Sequence, residues 1–230
     1  MRGVVLAAGR GERLRPYTDY IPKPLLNFKG RPLIDHVISA LRGAGVESIL
    51  VVTGYMGDAV SRHLMRSHDR DVKVVHNPRW MAGNATSLLA ARRHLAGGDF
   101  VLSMCDHLYS ESLVRDALAD YTGEPTLCID REPVHLKDLE DATKVQVDRG
   151  GYIRAIGKNL VRWNAVDMGV FILPVMIFEA TDETFRELSS LMRTLCEMRR
   201  LKAYDATGAQ WLDLDTVSDM EHAMEAAVWV

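Results

Sequence analysis

The chain has 230 residues, 47% of them hydrophobic and 26% charged, with a formal net charge of −3. This length suffices for a hydrophobic core without a disulfide or metal staple, and the net charge argues against a general binder of nucleic acid or anionic membranes. Three widely separated cysteines predict neither a disulfide framework nor a zinc site.

In the first half of the chain, short β-branched runs alternate with segments of helical periodicity. One such segment, 33–44, ends at Gly45, which suits a helix C-terminus. This alternation predicts a parallel sheet covered by helices, that is, a doubly wound α/β fold. The predicted strands are 4–6, 48–53, 72–76 and 100–104, and the predicted helices are 33–44, 58–67 and 85–95.

After about Glu111 the pattern changes, and Arg149-Gly150-Gly151 marks a hairpin. The sequence contains no repeat and no linker, so we expect one domain over 1–230 with a β-rich insertion over the sheet. The N-terminal apolar run is too short for a signal peptide, and no stretch approaches the ~20 apolar residues of a membrane span, which predicts a soluble cytoplasmic protein. The further predicted elements are helices 112–121, 184–200 and 219–227 and strands 126–130 and 165–173.

The first strand leads into the run LAAGRGERLRPYTDYIPKP, residues 6–24. Gly9-x-Gly11 suggests a dinucleotide fingerprint, but its third glycine would stand at Leu14, and Lys23 lies too far along for a Walker loop. What is left is a glycine loop whose N–H groups can approach phosphate oxygens, with cationic side chains beside it. These cations are Arg10, Arg13, Arg15 and Lys23.

Aspartates follow two apolar runs that are distant in sequence. Asp106 stands at the carboxyl end of the predicted strand 100–104, where open α/β sheets bind ligands. Asp213 and Asp215 are two residues apart, so on a strand their side chains share one face. Carboxylate oxygens suit Mg²⁺, and His107, which has no Cys or His partner at metal spacing, is expected to contact substrate or these carboxylates.

The segment NPRWMAGNATSL, residues 77–88, leads into a predicted helix that Asn84 or Thr86 could cap. A glycine and an asparagine before a helix expose donors and acceptors that can recognise the edge of a base. The alternative is a helix cap that binds no ligand. Trp80 is expected to pack or to cover a pocket.

The run LAAGRGERLRPYTDYIPKPL resembles the signature L-A-x-G-x-G-x-R-L-x-P-x-T…P-K-P of nucleotidyltransferases that condense NTPs with phosphorylated sugars or alcohols. The resemblance implies a Rossmann-like doubly wound mixed sheet, with a triphosphate held by the glycine loop and Arg13, and with Lys23 near the reacting centre. It also implies that Asp106 and Asp215 ligate Mg²⁺, with Asp213 beside them. The nucleotide-binding residues expected on this basis are Leu6, Ala7, Ala8, Gly9, Gly11, Asn77, Gly83, Asn84 and Ser87.

The pattern N-x₅-G-N-x-x-S-L is similar to cytidylyltransferase segments, and MCDHLYS, DATKV, IGKNL, NAVDMGVF and WLDLDT extend a resemblance to inositol-1-phosphate cytidylyltransferases over nearly the whole chain. It implies transfer from CTP to inositol 1-phosphate, giving CDP-inositol and pyrophosphate. Residues 1–110 would then bind the nucleotide and 111–230 the acceptor. Lys144 is expected to neutralise the acceptor phosphate and Asp167 to accept hydrogen bonds from hydroxyls, with Asn164 beside them.

Several alternatives stay open. The NTP could be UTP, GTP or dTTP with a sugar 1-phosphate, or the acceptor could be choline phosphate. A non-catalytic regulatory member of the fold would be expected to lack the lysine or a metal carboxylate, and both are present here. Many similar enzymes continue into a membrane phosphotransferase domain, so we expect a functional link to such an enzyme. The chain itself could be a stand-alone enzyme or an excised domain. We expect no nucleic-acid partner.

Overall fold

The computed structural model describes residues 1–68, 71–95, 97–136, 138–179 and 185–225. Within these ranges the central element is a nine-stranded sheet, accompanied by two two-stranded ribbons. The strands are β1 (Arg2–Ala7), β2 (Asn27–Phe28), β3 (Arg31–Pro32), β4 (Ser48–Thr53), β5 (Val72–His76), β6 (Phe100–Met104), β7 (His107–Tyr109), β8 (Thr126–Asp130), β9 (Lys144–Val147), β10 (Ile153–Gly157), β11 (Ala165–Leu173), β12 (Lys202–Asp205) and β13 (Trp211–Asp213).

Helices connect the strands in the order that the sequence pattern predicts. After the first helix, the N–H of Gly45 donates to the carbonyl of Arg42, and Gly45 adopts a φ of +86° that suits glycine. The predicted end of this helix is thus confirmed. The helices are α1 (Leu33–Gly43), α2 (Gly57–Ser67), α3 (Asn84–Ala91), α4 (Glu111–Asp120), α5 (Leu188–Glu197) and α6 (Val217–Glu225).

The centre of the sheet is parallel and contains a topological switch point. β1 pairs in parallel with β4 on one side and with β6 on the other, and β5 extends the β4 side. The chain thus proceeds outward from β1 through β4 and β5 and then returns to place β6 on the opposite flank. In open α/β sheets, ligands bind outside the carboxyl ends of the strands at such a reversal. β11 then pairs antiparallel with β6 and makes the sheet mixed.

Helices cover both faces of the sheet, as a doubly wound fold requires. Successive residues of β1 point to opposite faces. Val4 and Leu6 pack in a cluster with residues of α3 and α5, whereas Val5 and Ala7 pack with residues of α1, α2, α4 and α6. Apolar side chains on both faces explain why β1 reads as a continuous hydrophobic run.

The second half of the chain extends this sheet. β9 and β10 form the predicted hairpin, and β9 also pairs with β11, so the insertion continues the sheet edge. The prediction of a helix over 184–200 is wrong at both ends. The segment before Leu188 stays extended because the carbonyl of Arg186 accepts the N–H of Ala85, and the helix closes at Arg199, whose φ is +57°. Residue 184, and residues 226 and 227 of the last predicted helix, lie outside the described ranges.

Within those ranges, no helix has the length and hydropathy that a bilayer-spanning segment requires.

Candidate active site

The ammonium group of Lys23 joins the two aspartates that the sequence places far apart. Its Nζ donates to Oδ2 of Asp106 at 2.5 Å and to Oδ1 of Asp215 at 2.6 Å. Arg13 donates to the other oxygen of Asp215. The four side chains therefore face one location, which lies at the carboxyl ends of β1 and β6 where the switch point predicts a ligand site.

A small antiparallel ribbon brings the distant aspartates together. β7 follows Asp106 directly and pairs with β13, so that His107 lies opposite Asp213. Beyond the ribbon, the N–H of Leu214 donates to the carbonyl of Asp106 at 3.0 Å. Asp215 then follows β13 and is stabilised by the carboxylate of Asp219, which accepts its N–H. Backbone pairing thus sets the spacing between the carboxylates.

Burial and charge act in opposite directions on Lys23. Its side chain is 7% exposed, and burial alone would lower the pKa of an ammonium group. The carboxylates of Asp106 and Asp215 outweigh burial and raise the pKa of Lys23 well above its usual range. Burial likewise opposes ionisation of Asp106, but Lys23 and His107 hold the pKa of Asp106 far below its usual range. The pair is charged throughout the physiological range.

His107 forms a third cationic group beside the carboxylates, after Lys23 and Arg13. Nδ1 lies 3.0 Å from Oδ1 of Asp106 and Nε2 lies 3.7 Å from Oδ2 of Asp213, while the ring stacks on Trp211 at 6.4 Å between centroids. Burial lowers the pKa of His107, but the carboxylates of Asp213 and Asp106 prevail and raise it to about 10. The predicted contact of His107 with the carboxylates of this site is thus present.

Among the three carboxylates, Asp213 is the one whose surroundings disfavour the ionised form. Burial, together with the like charges of Asp215 and Asp106, raises its pKa to about 7 despite the opposing charge of His107. Among the described residues, its Oδ1 is buried and has no hydrogen-bond partner. An orphaned carboxylate oxygen next to two other carboxylates fits a site for a divalent cation, because such ions bind oxygen ligands.

The glycine loop forms one wall of a cavity of about 420 Å³ that Lys23, Arg13, Asp106 and Asp215 also line. Gly11 adopts a φ of +69° and a Cβ there would lie 3.0 Å from Cβ of Lys23. Thr18, which the sequence reasoning did not single out, fixes the loop by donating to the carbonyl of Gly11 at 2.9 Å. Of the expected nucleotide-binding residues, those that line this cavity are Leu6, Ala8, Gly9, Gly11, Asn84 and Ser87.

Two other expected nucleotide-binding residues, Asn77 and Gly83, support the backbone next to this cavity. Asn77 is buried and donates to the hydroxyls of Thr86 and Ser87, while its carbonyl oxygen accepts the N–H of Arg79. Gly83 lines an adjoining cavity, and a Cβ there would lie 2.1 Å from the carbonyl oxygen of Arg186.

The helix that follows them is not capped as predicted. No side chain caps α3, because Asn84 instead accepts the N–H of Leu188 and Thr86 donates to backbone carbonyls. Ala7 is buried within β1. Trp80, which was expected to pack or to cover a pocket, packs edge to face against Tyr55 and also lines the cavity of about 420 Å³.

A second cavity, of about 160 Å³, shares Asp215 with the first and is also lined by Lys158, Asp141 and Asp167. Lys144 was expected to serve an acceptor here, but its Nζ donates to the carbonyls of Glu140 and Lys158 at 3.0 and 2.8 Å. The lysine that lines the cavity, beside the cationic His107, is Lys158, which the sequence reasoning did not assign. Lys144 and Lys158 both lie at the open end of the β9–β10 hairpin, where Lys144 pairs with Gly157, so position in the sequence does not separate them.

The other two expected acceptor residues differ in their surroundings. Asn164 forms two hydrogen bonds with the backbone of Val147 and so acts as part of the sheet. Asp167 lines the cavity and accepts the N–H of Gly169 at 2.7 Å. Burial raises the pKa of Asp167. A buried carboxyl group that faces a cavity can form hydrogen bonds with hydroxyl groups of a ligand.

The described part of the chain contains another cluster of side chains that could bind a metal, formed by Asp35, His63 and His68. Their possible ligand atoms lie within 4.8 Å of one another. The two imidazoles contact the Asp35 carboxylate at 2.7 to 3.0 Å. Nδ1 of His68 faces the Arg42 guanidinium at 3.2 Å and therefore accepts a hydrogen bond. The proton of His68 is therefore on Nε2, the atom that faces Asp35. A metal ion at this position would need the lone pair of that nitrogen. The three side chains thus form a hydrogen-bonded group rather than a metal centre.

Two curated relatives match almost the whole chain. The "Bifunctional IPC transferase and DIPP synthase" of Rubrobacter xylanophilus is 37% identical over 227 residues, which cover 96% of this chain and 50% of the relative. The protein of the same name from Aquifex aeolicus is 31% identical over 226 residues, which cover 98% of this chain and 51% of the relative. The chain thus spans about half the length of these relatives.

A solved structure also superposes on the whole chain. The inositol-1-phosphate CTP transferase from T. maritima has a TM-score of 0.84 and 26% sequence identity, with coverage of 100% of this chain and 98% of that chain. The model of the MobA-like NTP transferase domain matches residues 3–200. These matches agree with the mixed α/β sheet, and the chain belongs to the family of MobA-like NTP transferase domains.

Proposed function

We propose that the protein transfers the cytidylyl group of CTP to a phosphorylated alcohol, inositol 1-phosphate, and releases pyrophosphate. The observation that carries the proposal is the convergence of Lys23 and Arg13 with Asp106 and Asp215 at the carboxyl ends of β1 and β6. The name of the superposed T. maritima structure, an inositol-1-phosphate CTP transferase, supports the choice of CTP and inositol phosphate as substrates.

The same residues support a requirement for Mg²⁺. Mg²⁺ in nucleotide enzymes is usually held by one or two carboxylates together with substrate phosphates. Asp106 and Asp215 both contact one ammonium group and so face one point, and the unpartnered oxygen of Asp213 lies beside them. We infer that Asp106 and Asp215 hold the ion and that Asp213 assists. The ion would supply charge neutralisation at the α-phosphate.

The other cations of the site divide between the two substrates. Arg13 and the glycine loop line the first cavity and would hold the β- and γ-phosphates, which leave as pyrophosphate. Lys23 would neutralise the charge that develops at the α-phosphate. Lys158, in the second cavity, would bind the phosphate of the acceptor, and Asp167 would accept hydrogen bonds from its hydroxyl groups.

The reaction needs no general base in this arrangement. The acceptor phosphate is already an anion, so one of its oxygens attacks the α-phosphorus directly, the new P–O bond forms in line, and the bond to the β-phosphate oxygen breaks. The protein supplies alignment of the two substrates and neutralisation of charge, which are the main sources of catalysis in such transfers. Asp215 lines both cavities and lies at their junction.

A substrate panel tests the proposal. The purified protein is incubated with CTP, UTP, GTP or dTTP, each with inositol 1-phosphate, choline phosphate or glucose 1-phosphate, and pyrophosphate release is followed in Mg²⁺ and in EDTA. We expect the highest kcat/KM for CTP with inositol 1-phosphate, CDP-inositol in the mass spectrum, and no turnover in EDTA. A higher kcat/KM for another pair would overturn the substrate assignment.

The names of the curated relatives pair the transferase with a second activity, DIPP synthase. We infer that the CDP-alcohol product is passed to a membrane phosphotransferase that displaces CMP. Membranes that contain such an enzyme should consume the purified product and release CMP, and membranes without it should not.

A further inference from the structure

Asp141 occupies the two cations that the proposed function assigns to different substrates. Its Oδ2 accepts from Nη1 of Arg13, and its Oδ1 accepts from Nζ of Lys158 at 2.6 Å. Partial burial would raise the pKa of Asp141, but the hydrogen bonds from Lys158 and Arg13 hold it below its usual range. The carboxylate is therefore an anion that spans the two cations.

Local contacts fix the backbone on both sides of this carboxylate. Oδ1 of Asp138 accepts the N–H groups of Glu140 and Asp141 at 3.1 and 3.2 Å. Nζ of Lys144 donates to the carbonyls of Glu140 and Lys158, which ties the segment before Asp141 to the end of β10. The position of Asp141 between Arg13 and Lys158 is thus set by the fold as well as by charge.

We propose that Asp141 couples the binding of the two substrates by standing in for a phosphate on each cation. This inference rests on the proposed placement of the triphosphate on Arg13 and of the acceptor phosphate on Lys158. A carboxylate held at two points is harder to displace than one held at a single point, because the second contact keeps it close to the first. When one substrate removes one contact, the other cation becomes easier to occupy, so each substrate strengthens the binding of the other.

The size of the effect follows from the exposure of the two ion pairs. The side chains of Arg13, Asp141 and Lys158 are 47%, 38% and 46% exposed. Ion pairs at this level of exposure typically change an equilibrium by about 1.5- to 5-fold. We therefore expect Asp141→Asn to tighten the binding of each ligand alone by about 2- to 5-fold and to abolish the mutual enhancement.

The test uses inorganic tripolyphosphate and inorganic phosphate as probes, because they carry neither base nor alcohol. Dissociation constants are measured by calorimetry in EDTA, for each probe alone and in the presence of the other, and again with CTP and inositol 1-phosphate. For the unchanged protein, each probe should tighten the other by about 2- to 5-fold. Asp141→Asn should bind each probe more tightly with a coupling factor near 1, and Asp141→Glu should retain coupling.

Asp116→Asn is the matched control, since it removes one negative charge from an exposed site on α4. Its coupling factor should equal that of the unchanged protein. Weaker binding by Asp141→Asn, or an unchanged coupling factor, would overturn the proposal and indicate a structural role. If the inorganic probes show the coupling while CTP and inositol 1-phosphate fail to react, the substrate assignment is wrong and the role of Asp141 stands.

Discussion

Nζ of Lys23 lies 2.5 Å from Oδ2 of Asp106, although 83 positions in the chain separate the two residues. Lys23 is one of few buried charged residues in the described structure, and Asp215 shares its ammonium group. Removing one partner of a buried ion pair leaves the other charge uncompensated, which is far more costly than the net value of the pair.

We predict that Lys23→Met lowers kcat by about 10²- to 10³-fold, the usual effect of losing one preorganised charge contact in the transition state. In EDTA the variant should also lose up to about 3–5 kcal/mol of unfolding free energy, because Asp106 keeps only His107 and Asp215 keeps only Arg13 as a cationic partner. Added Mg²⁺ should restore part of that stability by taking the place of the ammonium. Denaturant unfolding with and without Mg²⁺ measures this, and Lys73→Met, at an exposed residue of β5, is the control.

Catalysis should depend on each of the two carboxylates. Asp106→Asn and Asp215→Asn should each reduce kcat/KM by about 10²- to 10³-fold and raise the Mg²⁺ concentration needed for half-maximal rate. Asparagine has nearly the same shape as aspartate, so the circular dichroism spectra of both variants should match that of the unchanged protein. Near-normal rates at saturating Mg²⁺ would remove these residues from the proposed ion site. Asp116→Asn controls for the change in net charge.

Protonation of His107 can be followed directly. Because its pKa is raised to about 10, the imidazole should stay charged from pH 6 to 8.5 in the metal-free protein. Because the pKa of His107 is higher in the folded than in the unfolded protein, protonation of His107 stabilises the folded state. This stabilisation is fully present below pH 6.5, near the pKa of an unfolded histidine, and is lost as the pH rises to about 10. Histidine side-chain NMR spectra report the charge, with His107→Gln to assign the signal. Titration of that signal near pH 6.5 would contradict the prediction.

Asp213 should show the opposite trend. Its pKa is raised to about 7, so the folded state disfavours its ionised form. The resulting destabilisation is absent at low pH, grows as the pH rises from about 4 to 7, and is constant above that. We predict that Asp213→Asn is more stable than the unchanged protein in EDTA at pH 8 and that the difference shrinks towards pH 4. Thermal melts at several pH values test this, while Mg²⁺ affinity should fall.

Gly169 provides space for the ring of His107. It has a φ of +71°, and a Cβ there would lie 2.3 Å from Cδ2 of His107. Gly169→Ala should therefore displace the ring, lower the melting temperature and reduce kcat. Gly208→Ala is the matched control, because Gly208 has a φ of +87° but open space around it. If both variants behave alike, backbone strain alone accounts for the loss.

Local patterns in the sequence predict much of this fold. The strands of the parallel core and the end of α1 at Gly45 depend on hydrophobic periodicity and on glycine, which act over a few residues. The start of α5 was mispredicted because its preceding residues bond to the start of α3, a tertiary contact that no local pattern encodes.

The site was predictable to a similar extent. The glycine loop, Lys23 and the aspartates carry a recognisable motif, and the structure brings them together. The choice between Lys144 and Lys158 was not predictable, because it depends on which carbonyls lie within reach of each ammonium after folding. Asn77 was likewise predicted to bind the nucleotide, whereas in the structure it forms three hydrogen bonds with residues 79, 86 and 87 beside the cavity.

The proposed ion site is complete only when the ribbon of β7 and β13 has formed. Asp106 belongs to the parallel core, whereas Asp213 and Asp215 arrive only when the residues after β12 pair with β7. A folding intermediate in which this late segment is undocked would have a complete glycine loop but only one of the carboxylates. The appearance of cation binding during refolding would therefore time the docking of that segment.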